Sequence, residues 1–207
     1  MSVIERLASS LGKKDESANI RLAEEIVRKN DKKAVNELVE GLAKGPAGMK
    51  SDCIKALYEI GEREPSLIAS YAGVFRGLVA SKNNRLAWGA MTALDAIAGY
   101  SPKVVAEMLP ELATAADSGS VITRDHYVGV LIKLSSEKKY ESDCRELLLE
   151  QLKTCPSNQL PMYAENSSGV FSGKNKNEFL AAVNRRLKDL QKESQKKRVE
   201  KLLKKLS

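Results

Sequence analysis

The stretch RLAWGAMTALDAIAG, which runs from Arg85 to Gly99, is apolar nearly all round when it is placed on a helix. An α-helix with apolar residues on every side is flanked by several other helices, so this stretch predicts a central, buried element. Small residues such as Gly89 and Ala93 allow those neighbours to approach closely. We interpret Trp88 as bulk for the same core, with a place on a binding surface as the alternative.

A pattern inside this stretch recurs along the chain. A pair of apolar residues followed three positions later by a third one appears at intervals of 37 residues: Ala56-Leu57 with Ile60, Ala93-Leu94 with Ile97, and Val130-Leu131 with Leu134. A less regular repeat, Gly41-Leu42, Gly77-Leu78 and Glu111-Leu112, lies between the copies. One helical pair cannot bury its apolar face alone, but stacked pairs bury a continuous core. The repeat therefore predicts a solenoid.

Helical spacing covers most of the remaining chain, and no stretch alternates long enough to predict a strand. Proline, glycine and asparagine fall where helices begin and end. The predicted helices are Val3–Leu11, Glu16–Arg28, Lys33–Ala43, Met49–Ile60, Ser66–Ala80, Arg85–Ala98, Lys103–Ala116, Ile122–Leu134 and Ser142–Lys153. The polar stretch Cys155–Asn177 predicts a loop with one short helix near Leu160–Glu165. Gly73-x-x-x-Gly77 indicates close packing between helices, since the apolar 20-residue segment of a membrane dimer motif is missing.

The repeated pairs resemble HEAT repeats of the armadillo-like α-solenoid class over about residues 16–155. Those repeats carry a basic residue seven positions before the leucine of the pair, where this chain has Lys50 and Arg124 but also Ala87. The resemblance implies an all-α, right-handed superhelix of about four to five helical pairs, to which the sequence adds the long basic C-terminal helix described below. It also implies that Lys50 and Arg124 bond between neighbouring repeats. It does not name a function, because one fold hosts many.

The charge of the chain divides it into two parts. Twelve basic and four acidic residues lie between Lys174 and Ser207, whereas residues 1–173 carry 22 basic and 23 acidic residues. We therefore predict a near-neutral helical-repeat domain over residues 1–173 and a basic helix over residues 174–207. A basic segment on a neutral body suggests contact with a negatively charged partner or, alternatively, a solvated helix.

The basic C-terminal segment carries two apolar stripes on opposite sides of a helix. Phe179, Leu180, Val183, Leu187 and Leu190 form the first stripe, and Val199, Leu202, Leu203 and Leu206 form a second one that is rotated by roughly 140°. Four arrangements fit. The helix kinks near residues 191–197 and folds back, pairs with another copy or a partner helix, lies on an anionic membrane, or contacts phosphates. The absence of an aromatic anchor disfavours the membrane.

Two sets of residues are candidates for partner contacts. In the C-terminal segment they are Lys196, Lys197, Arg198, Val199, Lys201, Leu202, Lys204, Lys205 and Leu206. If the second helix of each pair lines a groove, Arg85, Arg124 and Tyr127 lie on it. His126, the only histidine, is interpreted as part of a polar cluster at a helix start, because its neighbour Asp125 points in another direction on a helix and cannot form a triad with it.

We predict no catalytic, metal or cofactor site. Cys53, Cys144 and Cys155 are well separated and favour reduced, buried thiols in a cytoplasmic protein. No apolar run reaches the roughly 18 residues of a membrane span, and the first residues contain no signal-peptide core. The predicted function is therefore a non-catalytic scaffold for a protein partner. The alternative is a nucleic-acid-binding protein whose basic tail contacts phosphates.

Overall fold

The computed structural model describes residues 2–206, apart from the side chain of Lys174. About 77% of the chain is helical, and no β-strand is present within the described residues. The α-helices are α1 Ser17–Lys29, α2 Lys32–Lys44, α3 Ala47–Arg63, α4 Ala72–Leu78, α5 Asn84–Ala98, α6 Pro102–Ala106, α7 Leu109–Ser118, α8 Val121–Leu134, α9 Glu141–Thr154, α10 Leu160–Ser167, α11 Lys176–Arg185 and α12 Glu193–Leu206. The all-α prediction is confirmed.

The chain divides into two compact units, residues 1–130 and residues 131–207. In the first unit α3 packs between α1 and α5, while α2 packs against α3 and α4 against α5. The leucines of the 37-residue repeat are fully buried, as Leu57 and Leu94 show in this unit. The sequence period therefore corresponds to helices stacked side by side. The separation of a repeat domain from a tail at residue 173 stays a prediction; that residue lies inside the second unit.

The predicted helix Val3–Leu11 is wrong, because only a 3₁₀ turn forms at Ile4–Arg6. Two buried side chains hold the following residues instead. Asn19 Oδ1 accepts a hydrogen bond of 2.9 Å from the amide of Ala8, and Asp52 Oδ2 accepts one of 2.7 Å from the amide of Ser9. Asn19 Nδ2 donates to Asp52 Oδ1 at 2.7 Å, which joins the two. The segment therefore closes the first unit by tertiary bonds.

Two other predicted helices are interrupted. Ser66–Ala80 forms 3₁₀ turns at Pro65–Leu67 and Ala69–Tyr71 before α4 begins. Between these turns the buried Ile68 packs over Gly61, where a Cβ atom would lie 2.3 Å from Ile68 Cδ1. The other segment, Lys103–Ala116, is split into α6 and α7, because Pro110 has no amide hydrogen to continue the helical bonding.

In the second unit α9 packs against α10 and α11, and α12 packs against α10 and α11. The C-terminal segment does not form one continuous helix: it divides into α11 and α12, which corresponds to the kinked, folded-back arrangement among the four considered. After α11 the chain makes a 3₁₀ turn at Leu187–Asp189, and Leu190 is extended with φ −76° and ψ 122°. The break lets both apolar stripes pack within the unit, as the burial of Phe179 and Val199 shows. A continuous helix would have pointed one stripe to solvent.

Arg186 stabilises this break. Its guanidinium donates hydrogen bonds of 2.9 Å to the carbonyl oxygens of Leu152, Lys153 and Cys155, at the C-terminal end of α9. Its Nε lies 2.6 Å from Asp189 Oδ2. The last carbonyls of a helix have no partner within that helix, so a single arginine satisfies groups that would otherwise need water. The charge of Arg186 thus serves the fold, although it was counted with the basic tail.

Candidate functional site

A connected group of charged and aromatic residues lies along α3 and α5 and includes the residue before α1. We call it the α3–α5 face: Glu16, Lys55, Tyr58, Glu59, Arg63, Arg85 and Trp88. Lys55, Tyr58 and Glu59 are buried, Glu16, Arg85 and Trp88 are half-buried, and Arg63 is exposed. Lys55 Nζ lies 2.5 Å from Glu59 Oε1 and 3.5 Å from Glu16 Oε2. Burial opposes the charge of Lys55, yet its hydrogen bonds with Glu59 and Tyr58 raise its pKa above the usual lysine value. These charges are compensated within the protein.

Aromatic rings complete the α3–α5 face. The rings of Tyr58 and Trp88 are tilted by 51° with centroids 5.8 Å apart. Lys55 Nζ lies 4.7 Å from the Tyr58 ring centre, and the Arg85 guanidinium lies 5.3 Å from the Trp88 ring centre. Arg85 also pairs with Glu16, and partial burial lowers its pKa. Trp88 is half-buried, so it belongs partly to the core and partly to the surface.

Next to this face, residues of α3, α5 and α8 form an acid–histidine cluster. His126 Nδ1 lies 2.9 Å from Asp95 Oδ2. Gly129 makes room for that carboxylate, since a Cβ atom there would lie 2.6 Å from both of its oxygens. Glu62 is exposed. Its pKa is raised, mainly by desolvation and secondly by the nearby negative charge of Glu59. His126 thus pairs with a residue 31 positions away rather than with Asp125, the neighbour considered from the sequence.

The three predicted groove residues have different locations. Arg85 lies on the α3–α5 face with its side chain 33% exposed. Arg124 is turned towards the end of α7, where its Nε donates to the Ala116 carbonyl at 3.4 Å. It therefore bonds within one helical pair and not between neighbouring repeats. Tyr127 is fully buried, so its assignment to a groove is wrong. It directly follows His126 in α8, and its side chain points into the core.

The sequence prediction missed Tyr58 and Asp95. A signal for both was present: each residue directly follows a repeated leucine, Leu57 or Leu94, and so occupies the same position in two copies of the repeat. Glu62 has no such signal. It reaches the cluster only because α3, α5 and α8 carry residues that meet in the fold.

In the second unit, α12 carries all nine of the predicted tail contacts. Lys197, Arg198, Lys201, Lys204 and Lys205 are exposed, and Lys196, Leu202, Leu203 and Leu206 are half-buried. Arg198 pairs with Glu165 of α10, with its Nε 3.1 Å from Glu165 Oε1. Val199 is fully buried, so its assignment to a partner contact is wrong: it anchors α12 to its own unit. Among the described residues, no carboxylate forms an ion pair with the lysines of α12.

Clefts open on the described surface of both units. A cleft of about 340 Å³ lies between α11 and α12 and is lined by Leu180, Ala181, Asn184 and Leu203. A second cleft, of about 440 Å³, lies between α4 and α7. Gly73 and Gly77 line it, and a Cβ atom at either would meet nothing within 4 Å. The close packing predicted for this glycine pair is therefore wrong, since the two glycines face open space.

The structure contains no group of three or more His, Cys, Asp or Glu side chains within residues 2–206 that could hold a metal ion. No helix in the same range is long and apolar enough to cross a membrane. All three cysteines are buried. Burial raises the pKa of the Cys53 thiol to about 12 and that of Cys144 to about 11, so neither is activated as a nucleophile.

Comparison with known proteins identifies the fold. No protein-family model and no curated protein matches the chain. Among solved structures, a designed armadillo repeat protein in complex with the peptide (KR)4 is 16% identical with a TM-score of 0.64, over 90% of this chain and 86% of that one. Computationally designed armadillo repeat proteins for modular peptide recognition give 15% identity and a TM-score of 0.65, over 97% of each chain. An engineered protein is 17% identical to this chain with a TM-score of 0.61, over 100% of this chain and 98% of that one. The chain therefore has the fold of an armadillo-like helical-repeat protein.

Proposed function

We propose that the chain is a non-catalytic, cytoplasmic scaffold that binds a polypeptide segment on the α3–α5 face and holds a second partner through α12. The observation that carries the first part is the α3–α5 face itself. Its side chains come from successive repeats, and ion pairs and ring contacts fix them in place. A fixed surface loses little conformational entropy on binding, which favours affinity.

Trp88 and Arg85 are the residues of this face best suited to recognition. Aromatic and arginine side chains contribute most of the energy in many protein interfaces, because they bury large areas and keep a polar end. Arg85 stays one-third exposed while its guanidinium lies over Trp88. Two of the designed proteins with this fold are described as bound to a peptide or as made for peptide recognition, which supports a peptide partner here.

The acid–histidine cluster extends the face towards α8 and indicates the kind of peptide. Glu62 is exposed, and no described residue forms an ion pair with it, whereas the cations of the α3–α5 face are already compensated. A lysine or arginine of the peptide would therefore gain more beside Glu62 than an acidic residue would gain beside Lys55.

The test uses random ten-residue peptides selected on the full chain and measured by fluorescence anisotropy. We expect Arg85→Ala and Glu62→Lys each to weaken binding at least tenfold, which corresponds to about 1.4 kcal/mol. Lys33→Glu, on the exposed side of α2, is the matched control and should leave affinity unchanged. Binding should also change the emission of Trp88, the only tryptophan. Selected peptides that bind both variants as tightly as the parent would refute this site.

Nucleic-acid binding is the second candidate function, and one observation favours it. Residues 1–130 carry 17 basic and 17 acidic residues, whereas residues 131–207 carry 17 basic and 10 acidic ones. The entire net charge of +7 thus lies in the second unit. If α12 contacts phosphates, affinity for mixed-sequence DNA or RNA should fall steeply between about 50 and 200 mM salt. Reversal of the charges of Lys201, Lys204 and Lys205 should abolish that binding.

A further inference from the structure

We infer that the cleft between α4 and α7 binds a free α-amino acid with a large apolar side chain. The cleft shares no residue with the α3–α5 face or with α12, so the inference goes beyond the proposed function. Its volume is about 440 Å³, and most of its accessible surface is apolar. Sites for small molecules have volumes of about 300–1,000 Å³ and combine apolar walls with a few polar groups that orient the ligand. The residues that line the cleft are Gly73, Arg76, Gly77, Val79, Ala80, Glu111, Thr114 and Ala115.

The α4 wall of the cleft exposes backbone. Gly73 and Gly77 are about one helical turn apart, and a Cβ atom at either position would meet nothing within 4 Å. Glycine is among the least favourable residues in a helix, and the packing of this unit does not require it at either position. The space beside these glycines is therefore available to a ligand that approaches the backbone closely.

A cation and an anion lie on opposite walls of this cleft. Arg76 of α4 pairs with Glu111 of α7, and their side chains are 48% and 44% exposed. The hydrogen bond from Arg76 lowers the pKa of Glu111, so both groups are ionised at neutral pH. An ion pair this exposed contributes little to stability, and a ligand can replace it at small cost. Thr114 Oγ1 donates to the Pro110 carbonyl at 3.0 Å, so its oxygen can still accept a hydrogen bond from a ligand.

An α-amino acid carries charges that match both walls. Its carboxylate can accept two hydrogen bonds from the guanidinium of Arg76, and its ammonium can donate to the Glu111 carboxylate and the Thr114 hydroxyl. Its apolar side chain then covers the backbone at Gly77 and the apolar wall at Ala115. A neutral ligand would shield Arg76 and Glu111 from water without replacing their hydrogen bonds to water, which is costly. A ligand with a single charge would compensate only one wall, so the zwitterion fits best.

The experiment titrates the isotope-labelled full chain with L-phenylalanine and follows the backbone amide signals by NMR. The comparison ligands are N-acetyl-L-phenylalanine, which lacks the ammonium, phenethylamine, which lacks the carboxylate, and L-alanine, which lacks the large side chain. Gly77→Leu fills the cleft from a position with open space. Gly99→Leu is the matched control, because Gly99 lies in the same unit, also has open space at its Cβ position and does not line the cleft. Circular dichroism verifies that each variant keeps its helix content.

We expect L-phenylalanine to shift the amide signals of Gly73 and Gly77 and to bind at least tenfold more tightly than each comparison ligand. Gly77→Leu and Arg76→Gln should each weaken its binding at least fivefold, and Gly99→Leu should not change it. Glu111→Gln should weaken the binding of L-phenylalanine but not that of N-acetyl-L-phenylalanine, which has no ammonium to pair with Glu111.

Three results would overturn the inference: no saturable shift with L-phenylalanine, equal affinity for N-acetyl-L-phenylalanine, or indifference to Gly77→Leu. The α3–α5 face is tested separately, with selected peptides and Arg85→Ala. Failure of the amino acid to bind at the α4–α7 cleft therefore leaves the test of the proposed function intact.

Discussion

Replacing Gly89 by alanine should destabilise the protein, whereas the same replacement at Gly77 should stabilise it. Both glycines lie inside helices, α5 and α4, so both substitutions gain helix propensity of up to about 1 kcal/mol. They differ in what the new methyl group meets. At Gly89 it would lie 2.7 Å from Ile54 Cγ1 and 3.3 Å from Ile54 Cγ2, and Ile54 is fully buried. At Gly77 it would meet nothing within 4 Å.

The magnitudes follow from these contacts. Overpacking a core typically costs about 1–3 kcal/mol, so after the propensity gain the Gly89→Ala variant should lose about 1 kcal/mol of unfolding free energy. The Gly77→Ala variant should gain about 0.4–1 kcal/mol, because nothing opposes the reduced entropy of its unfolded state. Urea denaturation monitored by circular dichroism measures the unfolding free energy of both variants. The fluorescence of Trp88, which directly precedes Gly89, is a second probe. A Gly89→Ala variant more stable than the parent, or a destabilised Gly77→Ala variant, would refute the reasoning.

Two further predictions concern charged residues. Arg186→Met should lower the unfolding free energy by about 2–3 kcal/mol, because three carbonyls lose a charged donor. Urea denaturation tests this, with the variant Arg185→Met at the exposed neighbouring position as the control. Equal losses of unfolding free energy in the two variants would contradict the prediction. Hydrogen bonds from Arg6 and then Lys29 lower the pKa of Glu25 to about 2. Stability from this group is therefore present above its unfolded pKa near 4.3 and lost as the pH falls towards 2. NMR titration of Glu25 should show a midpoint near pH 2, and this midpoint should rise in the Arg6→Ala variant. A midpoint near 4.3 for Glu25 in the parent protein would contradict the prediction.

Much of the fold could be predicted because it depends on local periodicity. Leu57 and Leu94 recur at an interval of 37 residues because equivalent helices of the repeat bury equivalent positions. The two glycine predictions show the limit of this reasoning. Gly89 does allow close approach, as expected, but Gly77 faces an open cleft. A glycine in a helix shows that a side chain is absent, and only the tertiary structure shows whether the space is filled.

The candidate site was less predictable because its pairs join residues far apart in sequence. Asp95 meets His126 through the packing of α5 and α8, and Arg186 caps α9 from 31 or more positions away. Charge counting included Arg186 in the basic C-terminal segment, although its guanidinium satisfies the last carbonyls of α9. Similarly, Tyr127 and His126 are neighbours in α8, and the helical period does not show which of the two side chains faces solvent. Periodicity gives the spacing of side chains, whereas orientation depends on the neighbouring helices.

The two units carry surfaces that should bind partners by different physical means. On the α3–α5 face Lys55 and Arg85 are already paired with carboxylates, so a ligand gains mainly from contact area and hydrogen bonds, together with a single charge contact at the neighbouring Glu62. Among residues 2–206 no carboxylate pairs with the lysines of α12, so a ligand gains from several uncompensated charges there. Salt screens exposed charges over a Debye length of about 8 Å at 0.15 M and has little effect on apolar contacts. The salt dependence of a partner's affinity should therefore show which unit it binds, before any contact residue has been mutated.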